Sequence, residues 1–362
     1  MGRSPELRAL LLSALFLAVG AAACGGRSEP PAGGGGGAQP AQAAPRSVTL
    51  TLAAYTTPRE AYGEILQAFR RKWAAEHGGQ QVEVRESYQG SGAQARAVAG
   101  GFPADVVALS LEQDIQKVAE AGLITHDFHR GNAYGGMVTR SVVVLAVRQG
   151  NPKGVHGWDD LARDGIEVLT PNVRTSGGAM WNVAALWGAA IRGKTSAAAN
   201  DPAAAERLLG NVLSHVRIMD RSGRDSMLTF ERGTGDVAIT YENEVILGRS
   251  KGQTYEYVVP SSTIRIDNPV AVVDRNVDRN GTRAVAEAFV AFLVTEEAQR
   301  IFARNGYRPV NEAVATATAQ QFPAVTDLFT IDDLGGWAGA DRTIFAADAA
   351  YDRAVTASRG NR

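Results

Sequence analysis

The chain has 362 residues, with 37 Lys plus Arg against 38 Asp plus Glu, five histidines and one cysteine. Balanced charge leaves no basic surplus to attract nucleic acid, and a lone cysteine excludes an intrachain disulfide and any cysteine-cluster metal site. The length suffices for two lobes of ordinary domain size.

Arg3 and Arg8 precede an apolar run from Ala9 to Ala23. It is too short to span a bilayer comfortably and reads as a signal peptide over residues 1–23. The run ends Ala21-Ala22-Ala23-Cys24-Gly25. Small residues before a lone cysteine resemble a bacterial lipobox, in which the thiol is acylated and becomes the mature N-terminus. Cys24 is therefore the candidate lipidation site; an ordinary Ala-x-Ala cleavage site with a spare thiol is the other reading. Residues 24–46 are mostly Gly, Pro, Ala, Ser and Gln, which cannot bury enough apolar surface to fold and form a flexible tether. A lipid followed by a tether suits an exported protein held at the outer face of a membrane.

From Val48 the chain alternates strand-like and helix-like segments. Val48–Ala54 reads as a strand, and Thr57-Pro58-Arg59-Glu60 opens a helix through Trp73. Val82–Val84, Val106–Leu109 and Val142–Val147 are further strands, the first two each leading into a helix. A strand near Val168 precedes a helix from Ala179, and Pro202–Leu213 is helical. Val216–Met219 is a strand before a helix from Asp225, and Val237–Tyr241 and Pro269–Asp274 are strands; the rest reads as helical. This alternation predicts an α/β fold with largely parallel sheets. With Val142–Val147 and Pro269–Val273 as crossing strands, lobe 1 combines residues 47–143 with 269–362, and lobe 2 holds 144–268.

Four small, polar turns follow strands: Thr56-Thr57-Pro58, Gly90-Ser91-Gly92, Ser176-Gly177-Gly178 and Ser222-Gly223-Arg224. At the start of a helix, backbone N–H groups have no carbonyl partner, and glycine lets an oxyanion approach without meeting a Cβ. Ligands of α/β sheets bind at the carboxyl ends of strands. The four turns together point to an anion-binding cleft, whereas any one of them alone is also explained as a helix cap. Catalytic patterns are thin. The histidines are scattered apart from His126 and His129, Gly90-Ser91-Gly92 is not a nucleophile elbow, and no Walker-type loop occurs.

The order of short motifs carries a resemblance. It runs through Tyr55-Thr56-Thr57-Pro58-Arg59-Glu60, Gly90-Ser91-Gly92-Ala93, Arg148-Gln149-Gly150-Asn151-Pro152, Ser176-Gly177-Gly178-Ala179 and Tyr241-Glu242-Asn243-Glu244. It ends in Asn305-Gly306-Tyr307-Arg308-Pro309. In these motifs the chain resembles the periplasmic sulfate-binding proteins of bacterial sulfate/thiosulfate ABC importers, over nearly everything after the tether.

The resemblance implies a two-lobed periplasmic-binding-protein fold, type II-like, with a hinge and an interlobe cleft for a dehydrated dianion. It assigns the donors to the backbone N–H groups of Thr56, Ser91, Gly177, Gly178 and Gly223 and to the Ser176 hydroxyl. The family's remaining donor is a Trp indole; Tyr241 stands at that position, so a phenol takes its place. The loop from Met219 to Glu231 is about one residue shorter than the family's common pattern.

The expected function is capture of sulfate, or thiosulfate, and delivery to the membrane permease of an ABC importer. The protein is expected to be a monomer and not an enzyme, with no cofactor or metal. Another oxyanion such as molybdate, or an enzyme acting on sulfate or phosphate esters, are the alternatives. Arg59, Arg174 and Arg224 flank the turns and are expected to support them from behind. A carboxylate at the site would favour a protonated anion, which makes the position of Asp225 informative.

Overall fold

The computed structural model describes residues 47–360; the expected signal peptide, Cys24 and the expected tether fall outside the described residues. In chain order the elements are β1 (Ser47–Tyr55), α1 (Arg59–Glu76), β2 (Gln81–Gln89), α2 (Ser91–Ala99), β3 (Val106–Ala108) and α3 (Glu112–Glu120). Next come β4 (Met137–Val147), β5 (Val168–Leu169), α4 (Gly177–Ile191), α5 (Pro202–Ser214), β6 (Val216–Ile218), α6 (Gly223–Glu231), β7 (Val237–Tyr241) and α7 (Glu242–Ser250). They are followed by β8 (Glu256–Val258), β9 (Ser262–Val272), α8 (Asp274–Asn280), α9 (Arg283–Leu293), α10 (Glu296–Arg304) and α11 (Glu312–Thr318). The chain closes with β10 (Asp327–Phe329), α12 (Gly336–Ala340) and α13 (Ala350–Gly360).

The strands lie in the order β2-β1-β3-β9-β4-β7-β5-β6, with β10 beside β9 and β8 beside β4. Alternate side chains of a strand point to opposite faces, so strands covered on both faces need apolar residues throughout. Leu50, Leu52 and Ala54 of β1 and Val106 of β3 face the aromatic core of α1, α9 and α10, including Tyr62, Phe69, Phe289 and Phe302. The intervening Ala53 and Val107 face α2 and α3. At the other end of the sheet, Val143, Leu145 and Val147 of β4 face α4 and α5, while Val142, Val144 and Ala146 face α6 and α7. The α/β fold is the one expected, with helices on both faces of each half.

Two long strands join the halves, and here the sheet is not parallel. β9 runs antiparallel to β3 and to β4, and β4 runs antiparallel to β7. Both begin earlier in the sequence than their apolar runs suggest, through segments in which buried polar residues interrupt the apolar ones. Thr139, Ser141 and Asn268 are each at most 2 % exposed, and buried side chains take the place of water as their partners. The Thr139 hydroxyl donates to Asn268 Oδ1 at 3.1 Å, and the Ser141 hydroxyl to Asn243 Oδ1 at 3.2 Å. Segments outside the expected strand runs thus lie in the middle of the sheet.

The end of the chain does not share the core of α9 and α10. From Asp327 on, it packs against the other half. β10 adds in parallel to the start of β9, and Phe329, Trp337, Phe345 and Tyr351 share the core of Trp181, Trp187 and Leu208. A Cβ at Gly188 would lie 2.3 Å from the Phe329 ring, so α4 accepts this tail only with glycine there. The tail's aromatics leave no local alternative: buried area, not chain order, decides which half they join.

Candidate functional site

Each expected turn lies at the carboxyl end of a strand and opens a helix. β1 ends at Tyr55 and Thr56-Thr57-Pro58 leads into α1; Gly90 caps α2, whose first residue is Ser91. Ser176 caps α4 with its hydroxyl oxygen, which accepts from the Ala179 amide at 3.4 Å. Ser222 caps α6 in the same way, accepting from the Asp225 amide at 3.2 Å. Tyr241 ends β7 and stands at the cap of α7. The opening amides Ser91, Gly177, Gly178 and Gly223 have no intrahelical carbonyl to bond, and the aligned peptide dipoles make these ends electropositive.

The turns converge. Thr56, Ser91, Ser176, Gly177, Gly178, Gly223 and Tyr241 all line one cavity, joined by Tyr55, Thr57, Gly90, Ser110, Pro171, Asn182, Ile239 and Thr240. No Asp, Glu, Lys, Arg or His is among them. The two halves meet closely at its edge: a Cβ on Gly90 would sit 2.5 Å from the Thr175 carbonyl oxygen and 2.7 Å from that of Arg221. The Ala93 amide also donates to the Thr175 carbonyl at 3.3 Å.

A buried hydrogen-bond network holds the lining. The Ser91 hydroxyl donates to Asp114 Oδ2 at 2.6 Å and accepts from the Ser110 amide at 2.9 Å. The Ser110 hydroxyl is 2.6 Å from the Tyr241 phenol. Trp181 Nε1 and Asn268 Nδ2 donate to the Ser110 carbonyl at 3.0 and 3.1 Å. Asn182 Nδ2 donates to Thr170 Oγ1 and to the Ile239 carbonyl, tying α4 to β7. Burial pushes the Tyr241 phenol well above its ordinary pKa and raises that of Tyr55 to about 12, so both keep their protons near neutrality. A cavity of this kind can solvate an anion with neutral donors.

Ser110 and Asn182 are two of the lining residues that sequence reasoning did not assign to the site. Ser110 directly follows the Val106–Leu109 run, so it carried the same strand-end signal as the other turns. Asn182 sits inside the apolar α4 with no such signal; only tertiary packing turns it inward.

The flanking arginines stay out of the cavity lining. Arg59 lies over the Tyr88 ring at 4.6 Å, and Arg174 pairs with Asp352 and donates to the Phe345 carbonyl. Arg224 donates to Glu60 Oε2 at 2.9 Å and to the Thr57 carbonyl at 3.2 Å, joining α6 to the first turn of α1. Its Nη2 also lies 3.1 Å from Glu244 Oε1, off the hydrogen-bonding direction, so both Glu244 oxygens lack a donor among the described residues. Burial pushes the Glu244 carboxyl up to about 7, with Arg224 drawing it back. Asp225 is not part of the lining, and its carboxylate accepts from the Ser222 hydroxyl at 2.8 Å. His126 bonds Asp274 and His129 approaches the Gly135 carbonyl, and no three His, Cys, Asp or Glu are grouped to hold a metal among the described residues.

Residues 50–308 match the family of bacterial extracellular solute-binding proteins. The sulfate-binding protein of Synechococcus elongatus is 40 % identical over 314 residues, covering 86 % of this chain and 88 % of that one. The chain belongs to this family, in its sulfate- and thiosulfate-binding group. The Escherichia coli sulfate-binding protein is 38 % identical over 85 % of the chain and 93 % of its own length. The thiosulfate-binding protein of the same organism is 34 % identical over 87 % and 93 %.

Among solved structures, the sulfate-binding protein SubI of Mycobacterium tuberculosis H37Rv superposes with a TM-score of 0.75 at 38 % identity. The match covers 83 % of this chain and all of SubI. A periplasmic thiamin-binding protein, at 14 % identity and a TM-score of 0.64, shares the fold. The periplasmic-binding-protein architecture is therefore the fold of this chain. These relatives are binding proteins, and this family member is a binding protein and not an enzyme. Among the described residues no helix is long and apolar enough to cross a membrane.

Proposed function

We propose that this solute-binding protein captures sulfate, and also thiosulfate, outside the cytoplasm and delivers it to an ABC importer. The observation that carries the reading is the chemistry of the cavity: helix-opening amides and hydroxyls line it, and no charged side chain does. A buried dianion costs many kcal/mol unless nearly every lone pair meets a donor. Hydrogen bonds to a charged group contribute roughly 1.5–3 kcal/mol each, so six or seven can offset desolvation without a bound cation. The donors are the amides of Thr56, Ser91, Gly177, Gly178 and Gly223, the Ser176 hydroxyl and the Tyr241 phenol.

With no carboxylate in the lining, a hydrogen phosphate finds no charged acceptor for its proton, whereas fully ionised sulfate needs none. Thr56 and Ser91 belong to one lobe and Ser176 to Gly178 with Gly223 to the other, so hinge closure across β4 and β9 completes the shell. Cys24 carries the lipid that holds the monomeric receptor near its permease; mass spectrometry of membrane-extracted protein without a diacylglyceryl mass on Cys24 would remove that anchor. The site is tested by calorimetric titration with sulfate, thiosulfate, phosphate and molybdate at one fixed salt concentration. One-to-one sulfate binding with phosphate ignored is expected; a response to molybdate alone would move the function to another oxyanion.

A further inference from the structure

Ser110 stands apart from the other lining residues in how it is held. Its amide donates to Ser91 Oγ at 2.9 Å, and its carbonyl accepts from Trp181 Nε1 at 3.0 Å and Asn268 Nδ2 at 3.1 Å. These partners come from α2, α4 and β9, so the backbone is fixed from three elements while the side chain is turned into the cavity. A Cβ on Gly177 would sit 2.7 Å from Ser110 Oγ, so that oxygen packs against the glycine that opens α4. At 2.6 Å from Ser110 Oγ lies the Tyr241 phenol, and either oxygen can be the donor.

Two hydroxyls in that contact share one proton between them and keep one O–H to present. If Tyr241 donates to Ser110, the free proton belongs to Ser110; if Ser110 donates, it belongs to Tyr241. A backbone N–H at a helix start points in one direction only. The hydroxyl pair can deliver its donor from either of two positions 2.6 Å apart, at the cost of rotating two C–O bonds.

We propose that Ser110 and Tyr241 form a two-position donor that lets the cavity fit tetrahedral oxyanions of unequal arm length, which makes Ser110 a selectivity-determining residue. This rests on the oxyanion reading above. Sulfate has four equal short arms, whereas thiosulfate carries one longer, softer sulfur arm; a fixed donor fits one of them better. Ser110→Ala leaves the donor on Tyr241, and Tyr241→Phe leaves it on Ser110.

The test is calorimetric titration of the full chain and of both single variants with sulfate and with thiosulfate, alongside thermal midpoints without ligand. The ratio of the two affinities is expected to move by at least about threefold in opposite directions in the two variants. Equal ratios in all three proteins, or a shift in the same direction, would overturn the proposal even if both variants bind more weakly. A ligand-free midpoint lowered equally in a variant with an unchanged ratio marks a structural role and likewise overturns it. If the unaltered chain binds neither anion, the oxyanion reading itself fails, which is a separate outcome.

Discussion

Two cavities of this protein share Thr56 and Gly90 as a common wall, yet they are built from opposite chemistry. The inner one is lined by amides, hydroxyls and apolar atoms. The outer one is wider and is lined by Arg59, Arg221, Arg224 and Lys251 together with Glu60, Asp225 and Glu231. Outside, charges answer one another: Glu60 holds both Arg224 and Lys251. Inside, an anion has only dipoles to answer it. The difference follows from solvation. Exposed charges pair at little cost and little gain, whereas a buried unpaired Lys or Arg would need permanent compensation in the empty state. Neutral amides are donors in the liganded protein and can be left to water in the open one.

The contrast is most sharply tested at the shared wall. Gly90→Ala drives a Cβ into the Thr175 and Arg221 carbonyls, backbone atoms of the opposite half that cannot rotate away. Overpacking of this sort costs about 1–3 kcal/mol, so sulfate affinity should fall by about 10- to 100-fold. The thermal midpoint without ligand should move far less. Equal losses in both would mean that the wall is part of the folded core and not of closure.

Ser176→Ala probes the inner chemistry alone. It removes a hydroxyl donor and the cap on the Ala179 amide, worth about 1 kcal/mol in stability and, with the lost anion contact, about tenfold in affinity. The comparison breaks if calorimetry finds this variant unchanged while Arg224→Met abolishes binding, because charge rather than dipoles would then hold the anion.

Glu244→Gln is the smallest change and addresses the outer side. Burial raises the Glu244 carboxyl from 4.5 to about 7 in the fold, so the neutral acid is the favoured form there. The stabilisation tied to that proton is complete below the unfolded value and is lost as pH rises through about 7. Melting curves at pH 5 and pH 8 should therefore show Gln gaining on Glu at the higher pH by a few degrees. A wild-type advantage that grows with pH would show instead that the Arg224 charge outweighs burial.

Much of this was legible before any coordinates. Val48–Ala54, Pro202–Leu213 and Val237–Tyr241 are apolar or well-capped segments whose local pattern and tertiary role agree, and they form where the sequence says they should. The strand-end turns were equally legible, since Ser, Gly and Pro before a helix mark the same local geometry in any α/β protein, and all seven expected site residues meet in one cavity. The first halves of β4 and β9 were not legible. Thr139, Ser141 and Asn268 look like surface residues one at a time, and only the bonds of Thr139 to Asn268 and of Ser141 to Asn243 allow a buried sheet there. Asn182 and the side on which the tail from Asp327 packs were hidden for the same reason.

Sequence alone therefore determined the α/β order, the helix starts and the family, because these depend on residues within a few positions of one another. Tertiary structure decided that Ser110 would meet Tyr241, that Asp225 would turn to Ser222 instead of the cavity, and that Arg224 would join α6 to α1. Each of those contacts except Asp225 with Ser222 spans more than a hundred residues, and its partner is set by how the halves of the sheet close, a distance no local propensity encodes.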